Sequence, residues 1–270
     1  MNEKRGIHTR ILMPHSKILP KPKRSQIAIF VILGVMIIAL GIIAYVFFPQ
    51  IQTGFGVSTN NPDVFIQNCM EDKIKNTVDT ISLQGGSMNP SNFFLYQENK
   101  VEYLCYTNEY YISCVMQQPL LKEHIESEIK NEIAGEKENC LNSLKDSFEK
   151  QGYDVKINSG DTKVELLPKR ISVIFENELT LTKSETQRYE SLSVNLNNNL
   201  YEMVNIANSI LNTEVRYGDS ETTIYMNYYK NLKVEKHKQT EGTKIYILTD
   251  RDSNTKFQFA SRSIAWPAGI

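Results

Sequence analysis

Ile27–Phe48 reads IAIFVILGVMIIALGIIAYVFF, an unbroken apolar run of 22 residues without a charge. At ~1.5 Å per residue a helix over this run is about 33 Å long, enough to cross a hydrocarbon core of roughly 30 Å. A soluble helix that is apolar on every side would need a core around its whole circumference. The run therefore predicts a transmembrane helix, and everything else in the chain is read outward from it.

Before the run, residues 1–26 carry seven Lys and Arg (Lys4, Arg5, Arg10, Lys17, Lys21, Lys23, Arg24) against Glu3, a net +6. After it, Pro49 to Pro62 holds no basic residue. The positive-inside rule then places Met1–Gln26 in the cytoplasm and residues 49–270 outside the cell membrane, as a single-pass protein. The run is longer than a secretory h-region, and Tyr45-Val46-Phe47-Phe48-Pro49 offers no small-residue cleavage site, so it reads as an uncleaved signal anchor. The chain of 270 residues has a net charge of −1, which leaves 23 basic and 30 acidic side chains beyond the run. An outer part with a net charge of −7 excludes nucleic acid as the expected partner, because phosphate contacts need a basic surface.

All four cysteines lie in this outer part, with 35, 8 and 25 residues between Cys69, Cys105, Cys114 and Cys140. An even number in an oxidising compartment reads as two disulfides, and no CxxC suggests a metal ribbon. Of the three pairings, the preferred one joins Cys105 to Cys114 across a hairpin and Cys69 to Cys140 between helices.

Residues 49–60 read as a polar linker. Asn61-Pro62-Asp63 then starts a helix, with Asn as N-cap, Pro at the first position and an acid near the positive dipole end. Ile66, Met70, Ile74, Val78 and Ile81 form its apolar stripe, and Gly85-Gly86 stops it. Phe93–Tyr96, Val101–Tyr106 and Tyr111–Met116 read as strands, with a four-residue loop Asn108–Tyr111 that places Cys105 opposite Cys114. Pro119 opens a long helix on Leu121, Ile125, Ile129 and Ile133, continued by Cys140, Leu144 and Phe148. Four short strands follow between Tyr153 and Thr182, the first two joined by a turn at Asn158–Asp161. Ser184-Glu185-Thr186-Gln187 matches a capping box, predicting a third helix on Leu192, Leu196, Leu200, Met203, Ala207 and Ile210. Strands at Thr222–Tyr229, Leu232–Lys236, Lys244–Thr249 and Lys256–Ser261 close the chain. The order predicts an α+β domain over 61–270 with mainly antiparallel sheet and about three helices, with a subdomain split near residue 152 as an alternative to one core.

No motif calls for catalysis. His124 has no second His at i+4, so no zinc face is expected. Ser127 to Lys130 and Ser147 to Lys150 match S-x-x-K without its companion motifs. No catalytic residue, metal or cofactor is assigned. Two features offer binding roles beside plainer ones: the hairpin aromatics, which otherwise fill the sheet core and of which Tyr110 and Tyr111 are expected exposed at the turn, and the C-terminal segment with Arg262 and Trp266, the only Trp, which otherwise is a domain-closing strand and its tail.

Lys23-Arg24-Ser25-Gln26, set directly before the apolar run, resembles the end of an archaeal class III (prepilin-type) leader. The resemblance implies cleavage between Ser25 and Gln26 by a prepilin-type peptidase. Ser25 stands where that family usually has Gly or Ala, and Phe30 where it usually has Glu. The chain as a whole is similar to membrane-anchored surface proteins of small-genome archaea, through Lys23–Phe30, Ile81–Gly86, Phe257–Ser263 and Pro267-Ala268-Gly269. That likeness implies a cell-surface location and no particular chemistry. The expectation is a membrane-anchored surface protein with a disulfide-stapled domain of structural or binding role. Its expected partners are the lipid bilayer and a protein or glycan of the cell envelope. The alternatives are a processed pilin-like subunit and an envelope enzyme whose site assembles only in space.

Overall fold

A computed structural model describes residues 32–39 and 61–267 of the chain. The chain divides into two units, Met1–Gly56 and Val57–Ile270. In the first, residues 32–39 form a helix, α1, whose Ile32, Leu33, Val35, Met36, Ile37 and Ile38 are all exposed. Among the described residues no helix is long and apolar enough to cross a membrane. The remainder of the Ile27–Phe48 run, the basic tail with Ser25 and Gln26, and the 49–60 linker lie outside the described residues.

The second unit is α+β. Helix α2 (Pro62–Leu83) begins as its sequence dictates: the Asn61 side chain accepts the Asp63 N–H at 3.0 Å and Pro62 occupies the first turn. Its stripe of Ile66, Met70, Ile74, Val78 and Ile81 is buried. Gly85 and Gly86 follow at φ +81° and +106°. A Cβ on Gly85 would stand 2.8 Å from that of Glu102, so glycine is required there by space as well as by conformation. Strands β1 (Phe93–Tyr96) and β2 (Asn99–Tyr106) form a hairpin closed by Gln97 and Glu98, both at positive φ, the turn geometry that matches strand twist. Strand β3 (Val115–Met116) pairs with the far end of β2, and α3 (Leu121–Lys150) follows.

Four strands come next: β4 (Asp154–Ile157), β5 (Thr162–Leu167), β6 (Arg170–Phe175) and β7 (Leu179–Thr182). The Asn158–Asp161 segment does not turn β4 back onto β5. Instead β4 pairs with β7 and β5 with β6, so one long antiparallel ribbon is kinked at Asn158–Asp161 on one arm and Glu176–Glu178 on the other. Gly160 sits so close to the Glu176 carbonyl that a Cβ would approach it to 1.8 Å.

The third helix starts later than the sequence pattern predicts. Thr186–Tyr189 is strand β8, hairpinned onto β7, and Leu192–Asn197 is strand β9, paired with β6. Leu192 and Leu196 are four apart, a spacing that serves both a helix and alternate positions of a strand. Cross-strand partners decide: Leu192 faces Phe175, Val194 faces Val173 and Leu196 faces Ile171. Helix α4 (Leu200–Tyr217) begins only after the Asn198 side chain accepts the Leu200 N–H, so Ser184–Gln187 caps no helix. Thr222–Tyr229, expected as a strand, contains the short helix α5 (Thr223–Tyr228), because Glu221 accepts both the backbone N–H and the hydroxyl of Thr223. Strands β10 (Leu232–Lys238), β11 (Thr243–Asp250) and β12 (Lys256–Arg262) complete the unit.

The largest sheet runs β1-β2-β12-β11-β10, with β3 on the β1 side of β2; only the β12–β2 pairing is parallel. One face carries Leu104, Tyr246, Leu248, Phe257 and Phe259 into a continuous core shared with α2, α3, α4 and the ribbon strands, so that elements from both sides of residue 152 contribute to it. On the other face Val101, Tyr103, Ile245 and Ala260 form a second, smaller cluster flanked by Phe94, Tyr96, Tyr106 and Ile247. All four cysteines are in disulfides: Cys69–Cys140 joins α2 to α3, and Cys105–Cys114 closes the loop after β2.

Candidate functional site

The loop Thr107–Cys114 is longer than the four residues its sequence suggests, and Cys105 lies opposite Met116 rather than Cys114. The physical reason is competition from the C-terminal segment. The Thr107 N–H donates to the Arg262 carbonyl (3.2 Å), the Tyr111 N–H to that of Ala265 (3.0 Å), and the Ile264 N–H to that of Ile112 (2.8 Å). The Arg262 guanidinium donates to the Thr107 carbonyl and, through Nε, to that of Glu241 at 3.0 Å. The Cys114 N–H donates to Ser263 Oγ at 2.9 Å. Loop and tail thus lace together, and Cys105–Cys114 holds the base of the loop, with its Cα atoms 5.4 Å apart.

This lacing brings together all four residues singled out for binding, from two stretches about 150 positions apart in sequence. The Arg262 guanidinium lies over the Tyr110 ring, 5.4 Å from its centroid. Tyr110 and Tyr111 are neighbours at 6.5 Å, and Tyr111 meets Trp266 edge-on at 5.0 Å and 88°. Tyr110, Tyr111 and Trp266 keep 47%, 51% and 60% of their surface exposed, so they are a solvent-facing platform and not core. Tyr111 holds φ +64°, a left-handed conformation that bulky side chains rarely adopt. Strain of this kind persists where surrounding contacts over-determine it, and it is concentrated at functional surfaces.

Trp266 also borders a cleft of about 300 Å³ lined by Tyr217, Asp219, Lys238, Gln239 and Lys244. Beneath it, Lys244 Nζ reaches both oxygens of Glu214 (3.0 and 2.7 Å) and the Gly218 carbonyl, and the Tyr246 hydroxyl also donates to Glu214. Glu214 is fully buried and Lys244 nearly so. Burial and the Glu214 charge together push the Tyr246 hydroxyl far above its ordinary pKa, so it stays a donor. Partial burial raises the pKa of Asp219, but Lys236, Lys244 and Lys238 outweigh it and hold the carboxyl below its usual range. The result is a rigid polar floor beside an aromatic rim. Such a combination holds a ligand by stacking and orients it by hydrogen bonds.

A larger cleft of about 560 Å³ lies elsewhere, lined by Asn199, Glu202, Tyr228, Tyr229, Asp250 and Asp252 among others. Each of its carboxylates already accepts a hydrogen bond, Glu202 and Asp250 from backbone and Asp252 from a side chain. Burial raises Asp250, but the Asp252 N–H, Ser253 and Asn199 outweigh it and lower its pKa; Glu202 accepts the Lys169 N–H, and Asp252 accepts from Asn231. Glu202 Oε2 is buried there without a hydrogen-bond partner among the described residues.

The sequence pattern missed the Glu214–Lys244 group, and it missed a second buried polar group as well. His124 Nε2 lies 2.7 Å from Ser87 Oγ, which also donates to Glu102 Oε2 at 2.5 Å. The hydroxyl stands between imidazole and carboxylate, whereas an activated nucleophile needs the imidazole in the middle. The group ties the Gly85-Gly86 turn to β2 and α3. Lys130, of the first S-x-x-K, pairs with Asp161 at 2.8 Å. Among the described residues one potential metal-ligating group occurs, Cys69, Glu136 and Cys140, and both of its cysteines are joined to each other. Comparison with protein-family models, curated proteins and solved structures finds no match for the chain.

Proposed function

We propose that the chain is a single-pass, membrane-anchored surface protein whose disulfide-stapled outer domain binds a component of the cell envelope. On this reading Ile27–Phe48 lies in the bilayer, Met1–Gln26 in the cytoplasm and residues 49–270 outside. The apolar run with its +6 flank supports the topology, and consumption of all four cysteines in two disulfides supports an oxidising compartment. The observation that carries the binding role is the exposed platform of Tyr110, Tyr111 and Trp266 with Arg262 beside it. The disulfide and the laced tail hold it in place, so little ordering entropy is lost when it is used.

Trp266 is the sole Trp, so emission excited beyond the tyrosine band reports this surface in the isolated chain, and the emission of each added fraction is measured alone and subtracted. The test titrates the purified full chain with soluble polysaccharide and with soluble protein extracted from the envelope of the producing cells. A saturable emission change with one of them, abolished by Tyr111→Ala, is the expected result. Trp266 emission that ignores both fractions, or a response that Tyr111→Ala leaves intact, overturns the binding role.

The Lys23-Arg24-Ser25-Gln26 stretch favours a second reading, a pilin-like subunit processed before assembly. An intact mass beginning at Gln26 supports it, and one beginning at Met1 supports the plain anchor.

A further inference from the structure

We propose that the edge of the large sheet at β1 is a homotypic contact, pairing antiparallel with β1 of a second copy of this chain about an axis through Phe94. Among the described residues no strand pairs with the outer side of β1. Its backbone parity is fixed twice. The Tyr103 N–H donates to the Asn92 carbonyl, and Tyr96 and Asn99 close a two-residue hairpin. Both place the N–H and C=O groups of Asn92, Phe94 and Tyr96 toward β2, so those of Phe93 and Leu95 point outward without a strand to receive them.

Edge strands are ordinarily protected by charge, proline or an inserted bulge. Phe93-Phe94-Leu95-Tyr96 has none of these. Leu95 is 65% exposed and Phe93 39%, and Val115 of β3, which pairs with the same side of β2 as β1, is exposed as well.

Self-pairing requires that residues facing each other point to the same side of the sheet and that the outward backbone groups meet. An axis through Phe94 satisfies both. Phe93 then exchanges N–H···O bonds with the partner's Leu95, and Leu95 with the partner's Phe93. Their side chains meet apolar to apolar, on the face where Lys100 lies over the Phe93 ring at 5.3 Å. On the opposite face Phe94 meets the partner's Phe94, beside Tyr96 and the second apolar cluster. Ser91 to Gln97 carry no charge, so no like charges are brought together. A pairing this short buries less than the roughly 800 Å² per partner of a standard stable interface, so the contact is reversible and is best read by trapping.

This inference does not depend on the ligand-binding platform. In it Phe94 opposes itself as a non-hydrogen-bonded pair, with Cα atoms about 4.5 Å apart, within disulfide reach. Phe94→Cys in the full chain in native membranes should give a band of doubled mass in the non-reduced sample, which reductant removes. Leu95→Cys, which faces Phe93 and not itself, should give at least ten-fold less. Adding Leu95→Pro to Phe94→Cys deletes an outward N–H and no β1–β2 bond, and should cut the trapped dimer by a similar factor. A circular dichroism spectrum like that of the unmodified chain shows that the variants fold. Equal trapping by Phe94→Cys and Leu95→Cys, or trapping indifferent to Leu95→Pro, overturns the proposal.

Discussion

Tyr111 illustrates how a single residue can serve a surface at some cost to the backbone. Its φ of +64° favours glycine, yet its ring makes the edge contact with Trp266. Tyr111→Gly relieves the strain and loosens the unfolded chain, two effects of opposite sign, so stability should change by no more than about 1 kcal/mol. The Trp266 emission response to envelope extract should vanish nonetheless; urea unfolding and the emission titration together check this. Glu102 tests a different balance. Burial raises its pKa from the ordinary 4.5, and Ser87 and the His124 charge only partly offset this. The folded state therefore favours the protonated form. Stability from this group is full below pH 4.5 and is lost as pH rises through the raised folded value. Glu102→Gln should gain on the wild type above that window, by on the order of 1 kcal/mol, and the two should converge in acid. Thermal unfolding across pH measures the difference. Neither Glu102 nor its partners were legible in the sequence, because Ser87, Glu102 and His124 sit on a turn, a strand and a helix with no shared spacing. The platform residues were legible only as types. Their meeting depends on backbone bonds between residues 107–112 and 262–265, which no local pattern encodes.

At the scale of elements, the two disulfides should separate stability from function. The Cys69–Cys140 bridge spans a separation of 71 and the Cys105–Cys114 bridge one of 9. In the loop-entropy view the first is worth about 4 kcal/mol and the second about 3 kcal/mol. Replacing Cys69 and Cys140 by Ser should cause the larger fall in urea stability while the folded protein keeps its Trp266 response. Replacing Cys105 and Cys114 should cost less stability and abolish the response, since that bridge holds the base of the platform loop. The α2, α3 and late α4 stripes were readable because a helix repeats its apolar contacts every three or four residues. Leu192 and Leu196 misled because a spacing of four also fits every second strand position, and only pairing with β6 resolves it. Thr222–Tyr229 misled because Thr and Tyr favour strands in general, while one side chain, Glu221, caps a helix there.

At the scale of the whole molecule, the unit over residues 57–270 has one main core, to which every sheet and three long helices contribute, and a smaller cluster on the far face of the large sheet; the aromatic platform is exposed, and among the described residues β1 has no second partner strand. The domain architecture followed from periodicity, cap residues and cysteine number; the parallel β12–β2 contact did not, since it joins segments far apart in sequence, and neither did the ribbon, whose Asn158–Asp161 segment has turn composition but forms a kink, with β4 pairing β7 and β5 pairing β6. The central claim is that this domain faces outward from a membrane anchor. Its most direct test is labelling of intact cells with a membrane-impermeant amine-reactive biotin, followed by peptide mapping. The account predicts label on domain lysines such as Lys163 and Lys238, whose side chains are 59% and 65% exposed, and none on Lys4, Lys17, Lys21 or Lys23 until the cells are lysed. Label on the N-terminal lysines of intact cells, or domain lysines that react only after lysis, would contradict it.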